Sequence, residues 1–433
     1  MKFKQIFVLL AMLISVASCD LISGGDDGTD DTSGGGAAGT DQLAKEVSEA
    51  KAFYTKQGAQ FKFRIYAFNG DLNNRHEMYL RKIFERNGKL SFISESWTTF
   101  GGTTFVYKIN ATGELILDPT IGGNQLNPAN ENEISADDQL VVYQYASGAV
   151  THGAYGNSRG VMHNLSTQKT NQTPMTNSDQ GYLINLKGKS FVFSMGLNSN
   201  TGFPSLYTFV PGVPPAADRW DFTDLPNFKN VGINFTNDAS KAGNPNKAFW
   251  TWISYDAVNT TNGKLHCVSF DGTNFSSITS KAIGPVGETL SMEKKHQPVL
   301  YKNPNNLDQP YIVIRRFNNP NILDIYKYTG SAIETVAEGV ALPSTLPASN
   351  GVTRDFKEIA FTGSNVYMIA RSDKRLYRLK GKDWEVLGQN LLTLENTFTA
   401  IEGGVDGLYA GLTTVLENAG PKRVAADLVF LKN

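Results

Sequence analysis

Cysteine is nearly absent from this chain, and the scarcity excludes a fold stapled by several disulfides. Only Cys19 and Cys267 occur among the 433 residues, so an apolar core has to hold the body together. Cys267 lies in the strand-like run Leu265-His266-Cys267-Val268-Ser269 and reads as a buried, inert thiol. Histidine is sparse too. His76, His152, His163, His266 and His296 are the five. None pair at i, i+2 or i, i+4 spacing and no HExxH occurs, so neither a metal site nor a cofactor is expected. A clustered basic face is lacking, which argues against a nucleic-acid partner. The apolar run Ile6–Ser18 is shorter than the ~20 residues a membrane-spanning helix needs, and no later stretch approaches that length.

What the N-terminus does contain is ordered. Lys2 and Lys4 precede the apolar run, a box of small residues (Val16-Ala17-Ser18) follows it, and Cys19 stands directly behind. This resembles the bacterial lipoprotein signal. The resemblance implies cleavage after Ser18, a fatty-acyl (palmitate-type) anchor on Cys19, and a membrane partner through that lipid. Cys267 would then have no partner for a disulfide. Residues 19–40 follow as a tether, with five Asp, seven Gly and no basic residue between 20 and 40. Such a segment cannot bury apolar area and reads as disordered. Losing Lys2 and Lys4 takes the formal charge from −1 to −3, and setting the five Asp apart leaves the body at +2. The acidity therefore belongs to the tether. An Asp beside the lipidated cysteine, here Asp20, resembles an inner-membrane retention signal of enterobacteria. An acidic stretch in this place resembles a surface-export signal of Bacteroidetes. The Asn-, Gly- and aromatic-rich style of the chain sides with the second, and with an outer-membrane or cell-surface location.

Residues 41–58 predict one short helix. Leu43, Val47, Ala50 and Tyr54 recur at helical spacing, with Asp41 to cap the start and Gly58 to stop the end. Everything after it reads as strands punctuated by Asn, Gly, Pro and Asp. Ala248–Ile253 and Val366–Ala370 are apolar without alternation, as expected of sheets covered on both faces. Three segments repeat a strand, a glycine turn and a returning strand, with turn glycines at 272, 330 and 381. Residues 106–115 are a looser copy. Each of the three follows a strand apolar on both faces, so the unit is an inner strand, a central strand and an outer hairpin. Four-stranded units at this period resemble β-propeller blades, six or seven in number, within a single domain from 41 to 433. A strand near Phe61–Phe68 is placed to complete the last blade beside the C-terminal strand Ala425–Lys432. The competing architecture is β-sandwich domains in series. No named repeat is matched. Trp220-Asp221 lacks the companion Gly-His of WD40 blades. The pairs Gly101-Gly102, Gly122-Gly123 and Gly403-Gly404 lack the aromatics of kelch repeats. Ser269-Phe270-Asp271-Gly272 starts like an Asp-box and then departs from it.

Catalytic signatures are weak. Gly156-Asn157-Ser158-Arg159-Gly160 matches a nucleophile elbow but lacks the strand-to-helix context and reads as a loop or turn. No catalytic residue is assigned. Trp250 and Trp252 read as core. Trp97 and Trp220, flanked by polar or turn residues, are the candidate ligand-binding aromatics, and the loops 196–206, 237–247 and 341–353 are expected to crowd the ends of the propeller. The primary expectation is a monomeric, non-enzymatic, lipid-anchored module that binds a glycan or a protein. The alternatives are a propeller hydrolase acting on carbohydrate and a structural component of an envelope assembly.

Overall fold

The computed structural model describes residues 36–67, 77–86, 89–98, 101–109, 115–118, 134–136, 140–146, 158–164, 170–172, 181–194, 204–210, 219–231, 237–254, 263–284, 298–315, 322–343, 356–363, 365–370, 373–393, 396–417 and 423–433. Among them, one α-helix and twenty-eight strands are found, the strands in seven four-stranded antiparallel sheets. The chain is an all-β propeller, and each sheet is one blade.

The helix α1 (Gly36–Lys56) leads into β1 (Gln60–Ala67). Blade 1 is β2 (Glu77–Arg86), β3 (Lys89–Thr98), β4 (Gly101–Ile109) and β5 (Leu115–Asp118). Blade 2 is β6 (Ile134–Ala136), β7 (Leu140–Ala146), β8 (Ser158–Asn164) and β9 (Thr170–Gln172). Blade 3 is β10 (Gly181–Leu186), β11 (Lys189–Ser194), β12 (Ser205–Val210) and β13 (Arg219–Asp224). Blade 4 is β14 (Asn237–Ser240), β15 (Ala248–Ser254), β16 (Gly263–Phe270) and β17 (Thr279–Gly284). Blade 5 is β18 (Val299–Tyr301), β19 (Tyr311–Arg315), β20 (Ile322–Tyr328) and β21 (Ile333–Ala341). Blade 6 is β22 (Phe356–Phe361), β23 (Val366–Ala370), β24 (Leu376–Lys380) and β25 (Asp383–Leu387). Blade 7 is β26 (Asn396–Gly403), β27 (Gly407–Glu417) and β28 (Arg423–Lys432), with β1 as its outer strand. The first strands of successive blades pack on one another, from β6 through β10, β14, β18 and β22 to β26, and β26 also packs on β2.

Alternation along β15 explains why a strand can be apolar on both faces. Ala248, Trp250 and Trp252 enter the core shared with blade 3, beside Phe191, Phe193 and Phe270. Phe249 and Ile253 enter the core shared with blade 5, beside Leu300, Ile312 and Tyr326. Every residue of β15 is buried, because the sheet lies between two others. Cys267 joins the second of these cores, and its burial pushes the thiol well above the ordinary range. The turn glycines 272, 330 and 381 have φ of 100°, 94° and 67°, a left-handed conformation that glycine adopts at no steric cost. Gly403 has a different reason to be glycine. A Cβ there would overlap the carbonyl of Phe361, where β26 passes close to β22.

Blade 7 is closed by the two ends of the chain. Register places Arg64 opposite Asp427 and Gln60 opposite Phe430. The Arg64 guanidinium donates to Asp427 through Nε at 2.6 Å and Nη2 at 2.8 Å. Tyr54 Oη, from α1, donates to the same carboxylate at 2.8 Å, and Thr414 Oγ1 lies at 3.4 Å. Asp427 is 0% and Arg64 7% exposed at the side chain. Burial, reinforced by the Asp427 charge, raises the Tyr54 phenol far above its usual value. One buried carboxylate thus joins helix, first strand and last strand.

The helix starts earlier than its sequence signals suggest. Gly36–Thr40, read as the end of the tether, belongs to α1. Ala37 and Ala38 have the highest helix propensity and carry it upstream of Asp41. Its end is as expected: Gly58 has φ of 81° and Ala59 N–H closes on Tyr54 O at 2.9 Å. Ala50 and Tyr54 are buried against blade 7. Cys19 and the remainder of the tether lie outside the described residues. Of the expected loops, 237–240 is instead the inner strand β14, and Ser205-Leu206 opens β12. Asn237 and Asp238 read as loop residues because their polarity is visible and their partners are not. Asn237 Oδ1 accepts from Trp250 Nε1 at 3.1 Å, and Asp238 Oδ2 accepts from Leu300 N–H of blade 5 at 2.7 Å.

Candidate functional site

Both candidate tryptophans lie in strands rather than in loops. Trp97 is in β3, in register with Glu77 on one side and Gly102 on the other. Trp220 is in β13, the outer strand of blade 3, opposite Phe209. They belong to different sheets, so no single surface row holds both.

Blade 3 does assemble an aromatic row on the two strands whose register includes Trp220. Tyr207 pairs with Phe222 and Phe209 with Trp220. Residues two apart on a strand share a face, as do directly opposite residues, so Tyr207, Phe209 and Phe222 share one face across β12 and β13, with Trp220 at the register position opposite Phe209. The Tyr207 and Phe222 rings are 5.9 Å apart at 38°. Leu206, on the opposite face, packs into the core shared with blade 4. The row therefore occupies the face turned away from blade 4, on the side where β10 meets β6 and β7 of blade 2. Phe222 is 46% exposed. Asp224 and Ser205 continue the row at its end, in register with each other and 3.5 Å apart between Oδ1 and Oγ. An aromatic platform ending in a carboxylate can stack on the apolar face of a ring and accept hydrogen bonds from its substituents. Of these aromatics, Trp220 alone is marked along the chain by its flanking residues. The alternating aromatics Tyr207, Phe209 and Phe222 were a visible signal, but their union needed the β12–β13 register.

Ser158 opens β8 and pairs with Ala146. Ser158–Gly160 is extended strand, so neither a loop nor a strand-to-helix elbow forms there. His163 is in the same strand, opposite Val141. His76, His152 and His296 lie outside the described residues. His266 is buried in blade 4 and stacks on Trp252 at 5.2 Å and 17°. Its Nε2 is 2.6 Å from Ser254 Oγ and its Nδ1 2.6 Å from Ser280 Oγ. Two hydroxyls satisfy a neutral imidazole in either tautomer. Burial, with the nearby Lys264 charge adding, lowers its pKa from 6.5 to about 4. Between those values the unfolded chain binds a proton that the folded chain refuses. This contribution to stability is complete above pH 6.5 and is lost as pH falls toward 4, a span worth ~3 kcal/mol. Urea unfolding at pH 7.0 and 4.5 should show a smaller loss of stability in His266→Gln than in the wild type. Equal losses would remove His266 as a source of the pH dependence.

Asp271 closes the hairpin turn at Gly272. Its Oδ1 accepts from Thr273 and Asn274 N–H, each at 2.8 Å. These bonds hold its carboxyl below the usual range. Asparagines link neighbouring blades where first and second strands connect. Asn244 Nδ2 donates to Leu307 O at 2.9 Å, and Asn305 Nδ2 donates to Gly363 O at 2.9 Å. The Asn433 side chain accepts from Thr362 Oγ1 at 2.9 Å. Lys302, after the inner strand of blade 5, pairs with Glu402 on the inner strand of blade 7 at 3.0 Å. Among the described residues, no group of three or more His, Cys, Asp and Glu side chains is placed to hold a metal ion, and no helix is long and apolar enough to cross a membrane.

No family model and no curated protein matches this sequence. Similar solved structures exist at low identity. An acylaminoacyl peptidase of Pyrococcus horikoshii is 9% identical, with a TM-score of 0.37, over 82% of this chain and 53% of that one. A post-proline cleaving enzyme from Rickettsia typhi is 10% identical, with a TM-score of 0.40, over 92% of this chain and 57% of that one. The chain thus spans little more than half the length of these two enzymes. The lectin SapL1, solved with α-methyl fucoside, is 11% identical, with a TM-score of 0.36, over 74% and 98% of the two chains. Likeness at this level carries nothing about activity from those proteins to this one.

Proposed function

We propose that this chain is a lipid-anchored protein of the bacterial cell envelope whose propeller binds a glycan without converting it. The observation behind this reading is the aromatic row of blade 3, with Phe222 exposed and the half-buried Asp224 at its end. The apolar face of a pyranose ring stacks on such a platform, while its hydroxyls donate to the carboxylate. Acylation of Cys19 and the acidic tether hold the body off the membrane, leaving the rim of the propeller accessible.

The test joins both halves. Cells grown with an alkyne-tagged fatty acid should label the protein, and Cys19→Ser should abolish the label. Calorimetric titration of the purified body with neutral oligosaccharides should give saturable binding. Trp220→Ala and Phe222→Ala should each weaken it tenfold or more, which is ~1.4 kcal/mol, with unchanged thermal unfolding. Turnover of a bound oligosaccharide would instead support a hydrolase. Binding indifferent to both substitutions would remove blade 3 as the site.

A further inference from the structure

A second surface is built between blades 4 and 5, on residues that the aromatic row does not use. A groove of about 740 Å³ runs between Ser277–Lys281 of blade 4 and the turn Gly330–Ile333 of blade 5. Its walls are tied together. Tyr328 Oη of blade 5 lies 3.3 Å from Ser276 Oγ of blade 4 and donates to Gly330 O at 3.2 Å. The turn itself is closed by Thr329 N–H on Ala332 O at 2.9 Å and Ala332 N–H on Thr329 Oγ1 at 3.1 Å. Ile333 is buried in the core between the two blades. A groove fixed in this way needs little ordering when a ligand enters.

Strand alternation sorts its chemistry. Ser280 turns to His266. Thr279 and Lys281 share the other face with Ile283, which packs on the core with blade 5. Lys281 Nζ accordingly stands 5.8 Å from the centre of the Tyr326 ring, within cation–π range. The Tyr326 hydroxyl is occupied, donating to Glu338 at 3.1 Å. Among the described residues, the lining contains one cation, several hydroxyl groups and no carboxylate.

We infer that this groove is a separate binding site for an acidic sugar, a uronic acid unit within an oligosaccharide. Lys281 takes its carboxylate, and the hydroxyls of Ser277, Thr279 and Ser331 take its ring hydroxyls. A neutral sugar would leave the cation unanswered, and a simple anion would leave the hydroxyls unused. The inference stands apart from the reading of blade 3, since neither site shares a residue with the other.

Calorimetry of the purified body with two probes, a tetragalacturonate and a glucuronate-containing tetrasaccharide, tests it. At least one should bind saturably, more weakly as salt is raised, because the site is open to screening. Lys281→Gln should reduce that affinity at least tenfold, as should methyl esterification of the sugar. Phe222→Ala should leave it unchanged. No saturable binding of either probe, an ester that binds as tightly as the acid, or Lys281→Gln at wild-type affinity would overturn the inference. Loss on Phe222→Ala with Lys281→Gln unaffected would overturn it too, assigning the acidic sugar to blade 3. The blade 3 reading is judged separately, on neutral oligosaccharides.

Discussion

Asp427→Ala should cost about 3–5 kcal/mol of folding free energy, the range for breaking a buried ion pair by removing one partner. The substitution leaves the Arg64 guanidinium without the carboxylate that receives both its Nε and Nη2 hydrogen bonds. It also leaves the Tyr54 hydroxyl without its acceptor. Arg64 is nearly inaccessible at the side chain, so water cannot replace what is lost. The cost falls on ring closure, because the three partners come from α1, β1 and β28. Replacing both charges, as in Arg64→Met with Asp427→Leu, should recover most of the loss, since a well-packed apolar pair avoids the desolvation that an ion pair has to offset. Equilibrium urea unfolding of the two single variants and the double variant checks this. A loss below ~1 kcal/mol for Asp427→Ala would mean that blade 7 closes through its apolar contacts and backbone ladder alone.

Trp250→Ala should be of similar size, about 3–5 kcal/mol, as expected for truncating a buried aromatic in a core. Trp250 is fully buried. Its ring lies 5.4 Å from both Phe193 and Phe228 and 6.3 Å from Phe275, and its Nε1 donates to Asn237 Oδ1. Alanine therefore opens a cavity between blades 3 and 4 and removes a donor from a buried amide. Trp250→Phe keeps part of the packing but not the donor, and should cost clearly less. Urea unfolding of both variants separates the terms. Equal losses would place the effect in the hydrogen bond rather than in the cavity.

Much of the architecture was legible because local chemistry and global fold agree. The hairpins at Gly272, Gly330 and Gly381 follow from glycine's access to positive φ. The doubly apolar run at 248–253 pointed to a strand between two sheets, and β15 is one. The Phe61–Phe68 strand, read as the partner of the C-terminal strand, is β1 beside β28. Blade 6 was readable from the apolar run Val366–Ala370 and the turn glycine 381, which are β23 and the β24–β25 hairpin. Blade 4 was not, because its inner strand Asn-Asp-Ala-Ser carries the composition of a loop. Two of its polar side chains bond to residues 13 and 62 positions away.

The candidate sites divide in the same way. Trp220 could be picked out by its flanks, but an aromatic row is a property of register. Nothing along the chain says that Phe209 stands opposite Trp220 or Tyr207 opposite Phe222. The groove between blades 4 and 5 is further from view, since its walls are 49 or more residues apart in the sequence and meet only because consecutive blades stack.

By itself the sequence determined the all-β class, the turn positions, the near absence of disulfide chemistry and the expectation of a lipidated Cys19. Each rests on local composition, spacing or backbone preference. Only the tertiary structure decided that there are seven blades, that Tyr54, Arg64 and Asp427 meet to close the ring, and which surfaces are left to bind. Those outcomes depend on which strands pair, and in what register, and pairing is settled by burial summed over the whole chain rather than by any one segment.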